Sequence, residues 1–228
     1  GEFEERQVQL SMGASLVPDT LGIRLSGFFR EHNGFTNNVL LDEGADEQSS
    51  LAGRANLVWT PSDRWNVSLK IGAADTNDDA SVYVPLDQDE PFEVSRSDNG
   101  ELELDVHTQS LRVGYEGDRL RFTSITSHSD TFYNYTSFAD DFGFTVFSDY
   151  EQEIFNQELR LQSSTDADSL QWIVGANFQN REFQIGEDIE VPAFSGTEIG
   201  ESTYDQTTYS GFAQMDYRPI DAPTLTAG

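Results

Sequence analysis

Apolar and polar residues alternate one for one along most of this chain, in blocks of about ten residues. Val8, Leu10, Met12, Ala14 and Leu16 hold one parity, and Gln9, Ser11, Gly13 and Ser15 the other. Leu21, Ile23, Leu25, Gly27 and Phe29 alternate with Gly22, Arg24, Ser26, Phe28 and Arg30. Leu51, Ala55, Leu57 and Trp59 stand against Arg54, Asn56 and Thr60, and Trp65, Val67, Leu69, Ile71 and Ala73 against Asn66, Ser68, Lys70 and Gly72. The pattern returns at Leu111, Val113 and Tyr115 around Arg112, and at Phe155, Leu159 and Leu161 against Glu158, Arg160 and Gln162. It closes with Trp172, Val174, Ala176 and Phe178, then Tyr209, Ala213, Met215 and Tyr217. A period of two marks a strand with two unlike faces. Phase is lost between Val106 and Leu111 and again at Ser124 and Ile125, where the strands are expected to leave the region that enforces alternation. The pattern predicts nine full strands and a tenth begun at the C-terminus.

The joints alternate too. Tight turns are predicted at 17–20, 61–64, 116–118, 164–168 and 219–223, and long acidic loops near 34–48, 77–101, 136–150 and 186–202. Short turns on one rim and long loops on the other are the plan of an outer-membrane β-barrel. The predicted fold is all-β: an antiparallel up-and-down transmembrane barrel, here in part, with short periplasmic turns and long extracellular loops. Residues 1–228 read as one piece of a single barrel domain.

Alternation alone leaves two readings open. In a soluble sandwich the apolar face is the core; in a barrel it meets lipid and the polar face lines the lumen. Aromatic placement favours the barrel. Trp59, Trp65, Tyr115, Trp172 and Tyr217 all lie on the apolar parity a few residues from a short turn. Amphipathic rings at one rim suit a membrane interface, with the ring in lipid and its N–H or O–H in water. In this reading Arg24, Arg30, Arg54, Lys70, Arg112 and Arg160 face the lumen, paired with carboxylates such as Glu158.

Composition narrows the partners. The 228 residues carry a formal charge of −28 from 13 basic and 41 acidic side chains. Nucleic-acid binding needs clustered Lys and Arg and is excluded. The four long gaps hold 20 of the 41 acidic residues, which disfavours a strongly anionic ligand. Mean hydropathy is −0.52 and no apolar run approaches the ~20 residues of a membrane helix. There is no cysteine, hence no disulfide and no thiolate metal site.

Three stretches carry a family resemblance. Leu16-Val17-Pro18-Asp19-Thr20-Leu21-Gly22-Ile23-Arg24-Leu25-Ser26-Gly27, followed by Asn33-Gly34-Phe35-Thr36-Asn37-Asn38, resembles the early barrel strands of TonB-dependent outer-membrane receptors. Gln157-Glu158-Leu159-Arg160-Leu161-Gln162-Ser163 with Trp172-Ile173-Val174-Gly175-Ala176 is similar to later ones, as is Gly211-Phe212-Ala213-Gln214-Met215-Asp216-Tyr217-Arg218. The resemblance implies a barrel of 22 strands filled by an N-terminal plug. It implies import of a scarce nutrient (ferric siderophore, haem, cobalamin or oligosaccharide) driven by the TonB complex acting through the plug. This chain has about nine full strands and neither plug nor energy-coupling box, so both of its ends read as cuts. The partners implied are outer-membrane lipid of a Gram-negative cell, the TonB complex and a small-molecule nutrient; no cofactor is implied. A passive porin and a soluble acidic sandwich or adhesin are the other readings.

Candidate chemistry is sparse. The aromatic run Phe132, Tyr133, Tyr135, Phe138, Phe142, Phe144 and Phe147 is predicted as a loop suited to stack a sugar, haem or catecholate, or to pack on neighbouring loops. Asp75 to Asp79 begins like a calcium loop but has Ala80 where the turn needs Gly and Leu86 where a bidentate Glu is needed. His32, His107 and His128 lack metal-binding spacing. His128 between Ser127 and Ser129 cannot form a triad, because neighbours on one strand point to opposite faces. No residue is assigned as catalytic, and the chain reads as a non-enzyme.

Overall fold

The computed structural model describes residues 5–84, 89–139, 143–164, 169–191, 197–218 and 225–227. In chain order the strands are β1 (Arg6–Val17), β2 (Leu21–His32), β3 (Asn37–Asn38), β4 (Glu43–Gly44), β5 (Gln48–Ser62), β6 (Trp65–Asp78) and β7 (Glu93–Val94). They continue with β8 (Glu101–Glu116), β9 (Leu120–Ala139), β10 (Phe144–Ser163), β11 (Leu170–Glu190), β12 (Thr197–Tyr217) and β13 (Leu225–Ala227). Ten of them form one antiparallel up-and-down sheet in the order β1-β2-β5-β6-β8-β9-β10-β11-β12-β13. Each strand pairs antiparallel with its neighbour in the meander, through tight turns at β1–β2, β5–β6 and β8–β9 and through the longer excursions at β2–β5 and β6–β8. At the first turn Asp19 takes φ 58°, a conformation its short polar side chain tolerates, and the Thr20 N–H donates to Val17 O at 3.1 Å.

The registers sort every side chain onto one of two faces. Ala14, Ile23, Leu57, Leu69 and Leu111 lie in one row across β1, β2, β5, β6 and β8. Trp65, Tyr115, Phe122, Leu161, Val174 and Ala213 lie in another. This belt face is apolar for about nine residues from the short turn on β5 (Trp59 to Leu51), β6 (Trp65 to Ala73) and β12 (Tyr217 to Tyr209), and for a shorter stretch on β9, where Leu120 and Phe122 give way to Ser124, Thr126 and His128. About nine residues is the strand length that crosses a bilayer. No second sheet covers the belt, and Leu10 and Met12 are each 68 % exposed and Tyr209 77 %. A soluble sandwich would bury such residues against a partner layer, and the sheet has none among the described residues. Among the described residues the buried apolar ones are Ala45, Ala80 and Val94, which all lie in the excursions between the long strands rather than in the ten-stranded sheet.

Two of the four predicted long loops are strand. β9 runs to 139 and β10 begins at 144, and β11 runs to 190 and β12 begins at 197, so the predicted gaps at 136–150 and 186–202 are largely strand. β9 to β12 are 20 or 21 residues long, about twice a membrane crossing. The phase loss at Ser124 and Ile125 is not a bulge, because the β8–β9 and β9–β10 registers run through it unshifted. Polarity changes sides instead. Beyond the belt the same face turns acidic and the opposite face turns apolar, so alternation resumes with the opposite sign. The joints at 164–168 and 219–223 lie mostly or wholly outside the described residues.

The described residues of the remaining excursions, 33–47 and 79–100, fold on each other. β3 pairs antiparallel with β4 and parallel with β7 in a separate three-stranded sheet. Asn38, fully buried, holds it: its Nδ2 donates to Arg96 O and Asn99 Oδ1, and its Oδ1 accepts from Leu40 and Arg96 N–H. The buried Arg96 guanidinium donates to Ser81 O and Tyr83 O. A buried polar core of this kind is stable only when its donors and acceptors are matched, as these are.

Candidate functional site

The sheet places Arg24, Arg30, Arg54, Lys70, Arg112 and Arg160 all on the polar face, opposite the belt. Arg30 pairs with Glu5 at 3.1 Å, Arg160 with Glu158, and Arg24 donates to Ser11 Oγ. Arg24 and Lys70 share a row through Asn56, with Arg54 and Arg112 in the rows on either side. Trp59, Trp65, Tyr115, Trp172 and Tyr217 lie on the belt face near the short turns, and Trp65 tilts against Tyr115 with centroids 4.8 Å apart.

The aromatic run belongs to β9 and β10 rather than to a loop, and alternation divides it. Tyr133, Tyr135 and Phe144 lie on the polar face, while Phe132, Phe138 and Phe147 lie on the belt face. Phe142 lies outside the described residues. On the polar face the structure adds residues that the sequence pattern did not single out. Tyr133 stacks on Tyr135 (6.3 Å, 12°) and on Tyr150 of β10 (4.8 Å, 19°), and Tyr150 tilts against Phe183 of β11 at 5.7 Å. Arg181 lies 5.5 Å above the Phe183 ring, and Tyr204 of β12 is the cross-strand partner of Phe183. Their signal in the sequence was parity: Tyr150, Phe183 and Tyr204 are aromatic on the parity opposite the belt.

Charge is divided the same way. From β6 to β12 the rows Thr76–Leu104–Tyr133–Tyr150–Ile185–Ser202 and Ala74–Val106–Thr131–Gln152–Phe183–Tyr204 contain no carboxylate. At the same height the belt face carries Asp75, Asp105, Asp130, Glu151, Glu153, Glu182 and Asp205. Much of the negative charge faces away from the aromatic ladder, where Arg181 is the charged side chain beside the rings.

The other sequence candidates resolve as follows. Residues 75–78 belong to β6, so the calcium-loop resemblance has no loop to occupy. His32 is buried and its Nδ1 accepts from the Gly34 N–H at 2.9 Å. Ser127 and Ser129 face opposite to His128. The three histidines, isolated in sequence, are not all isolated in space: Asp130 and Glu153 flank His128.

Where the 79–100 excursion leaves β6, the Asp79 N–H donates to Glu47 O at 2.8 Å and the Glu47 N–H donates to Asp79 Oδ2 at 2.9 Å. Burial pushes the Asp79 carboxyl up from 3.8 to about 6, helped by the carboxylates of Glu47, Glu43 and Asp46 and opposed by the Glu47 N–H. A carboxyl raised on folding favours the folded loops most below its unfolded value and loses that contribution as pH rises through the raised one. Amide exchange of 79–100, corrected for intrinsic rates, is expected to be slower at pH 5 than at pH 7.5. Asp79→Asn keeps the acceptor and removes the charge, so it should hold the pH 7.5 protection near the pH 5 level. Equal pH dependence in both proteins would refute this.

No family model matches the chain. Solved structures do. The ferric yersiniabactin uptake receptor FyuA of Yersinia pestis matches with TM-score 0.73 and 14 % identity, over 94 % of this chain and 42 % of its own. The ferric-catecholate import receptor Fiu of E. coli K12 matches with TM-score 0.73 and 10 % identity, over 97 % and 41 %. The outer-membrane ferripyoverdine receptor of Pseudomonas aeruginosa matches with TM-score 0.67 and 12 % identity, over 99 % and 35 %. The chain thus spans about two fifths of the length of such proteins. Its fold is that of part of the barrel wall of these TonB-dependent receptors, here an open sheet of ten strands.

Proposed function

We propose that this chain is part of the wall of an outer-membrane receptor that actively imports a ferric siderophore with aromatic iron-binding groups. The observation that carries the reading is the change of polarity halfway up the sheet. A bare apolar belt one bilayer thick faces lipid. Above it the opposite face offers Tyr133, Tyr135, Tyr150 and Phe183 in contact, with Arg181 beside them. Aromatic faces stack on planar rings, and a guanidinium attracts the negative charge of a ferric complex. Lower on that face Arg24, Arg54, Lys70 and Arg112 meet the plug expected to fill the lumen, through which TonB energy would act. Haem is the next ligand the ladder suits; cobalamin and oligosaccharide make less use of the cation.

The test is uptake of a radiolabelled ferric catecholate by Gram-negative cells making the full-length protein. Uptake is expected to saturate, to stop when the proton gradient is dissipated, and to fall at least ~10-fold in Tyr133→Ala/Tyr150→Ala, the loss of two base-scale stacking contacts. Uptake that continues without the gradient would mean a passive porin. Uptake indifferent to the tyrosines would remove the ladder as the ligand surface.

A further inference from the structure

In the outermost rows of the belt, level with Ile71 and Ala73 and on the face away from the ladder, β9 and β10 bring one imidazole between two carboxylates. His128 Nδ1 lies 3.3 Å from Asp130 Oδ2, and His128 Nε2 lies 2.9 Å from Glu153 Oε1. The two acids serve different nitrogens. One strand supplies His128 and Asp130, two residues apart and therefore on one face, and Glu153 is the cross-strand partner of Asp130. On either side the same row continues with His107 on β8 and Glu182 on β11. A hollow of about 280 Å³ is lined in part by His107, Asp130, Glu153 and Glu182. Phe155, opposite His128, and Phe132, next above Asp130 on the same face, bracket the group with apolar surface.

We propose that this cluster binds a divalent transition-metal ion. In it Asp130 accepts the Nδ1–H of His128, which fixes the tautomer and leaves Nε2 as the metal ligand, with Glu153 as the second ligand. A carboxylate behind a ligating histidine is the usual way of orienting the ring and raising its basicity. Glu182 and His107 are placed to complete the shell as their side chains turn toward the hollow. Imidazole with carboxylates and no thiolate suits Zn²⁺, Co²⁺ or Ni²⁺, whereas an all-oxygen site would suit Ca²⁺ or Mg²⁺. The site lies on the opposite face from the ladder and does not depend on what the receptor imports.

The measurement is calorimetric titration of ZnCl₂ into the detergent-solubilised full-length protein, with CaCl₂ as the hard-ion comparison and far-UV circular dichroism confirming the fold of each variant. One saturable Zn²⁺ site should appear, not displaced by a tenfold excess of Ca²⁺. Asp130→Asn is expected to weaken it by ~10–100-fold, the usual effect of losing an orienting partner. His128→Gln and Glu153→Gln should weaken it at least as much, while Tyr133→Ala leaves it unchanged. A Co²⁺-loaded sample should show the d–d absorption of a nitrogen-ligated site, lost in His128→Gln. No saturable Zn²⁺ uptake, or uptake that survives both His128→Gln and Glu153→Gln, would overturn the assignment. Failure of ferric-complex uptake would leave it untouched.

Discussion

Replacing Leu69 by Arg is expected to destabilise the membrane-inserted barrel by roughly 2–4 kcal/mol, the cost of a cation on the lipid face near mid-bilayer. Leu69 pairs with Leu57 on β5 and Leu111 on β8, so an arginine there has apolar side chains on both sides and no carboxylate in its row from β1 to β12. The control is Ser127→Arg. Ser127 shares a row with Lys70, Ser110 and Asn156 on the opposite face, where a polar lumen would accept the charge. Urea titration of the full-length protein in phosphatidylcholine vesicles should show the midpoint falling for Leu69→Arg and nearly unchanged for Ser127→Arg. Equal losses would mean that both faces are buried in protein, and the lipid assignment of the belt would fall with them.

The second large effect is expected in the folded loops. Gly100 has φ +73°, and a Cβ there would lie 2.2 Å from Thr136 O and 2.6 Å from Ala80 Cβ. Thr136 O is backbone of β9, so it cannot swing aside as a side-chain end would. Gly100→Ala combines a left-handed conformation costing ~1–2 kcal/mol with overpacking of ~1–3 kcal/mol. The loss should be local, because the strands beneath keep their own ladders. Limited proteolysis is expected to cut within 79–100 in Gly100→Ala and leave β8 and β9 intact. Gly143 provides the comparison: its φ is +70° but nothing lies within 4 Å of its Cβ position, so Gly143→Ala carries only the conformational cost, about 1 kcal/mol. If the two alanine variants behaved alike, the close approach of Gly100 to β9 would be wrong.

Alternation made the belt readable, because lipid or core imposes one demand on every second residue and the demand is the same along a whole strand. Where the surroundings change along the strand, the same signal misleads. At Ser124 and Ile125 the parity reverses, and a reversal in a one-dimensional pattern looks the same as a strand end. The predicted gaps therefore cut β9 to β12 short by four to seven residues each, and the aromatic run with Tyr133 and Tyr135 reads as loop although it is strand. The small sheet of β3, β4 and β7 gave no periodic signal, since two-residue strands are too short for one, and its stability rests on the side chain of Asn38 reaching residues 58 and 61 positions away.

From its residues alone the chain determined an antiparallel meander of about ten strands, the apolar belt with its aromatic rim, and the common face of Arg24, Arg30, Arg54, Lys70, Arg112 and Arg160. These follow from near-neighbour geometry: side chains alternate along a strand, and short turns fix which strand comes next. Tertiary structure alone decided which residues meet across strands. The register brings Tyr133 to Tyr150, seats Glu153 beside His128, and sends most carboxylates of the outer half, Asp78 and Glu187 excepted, to the face away from the aromatic ladder. Those pairings depend on how one strand slides against another, and a slide of one residue moves a side chain to the other face.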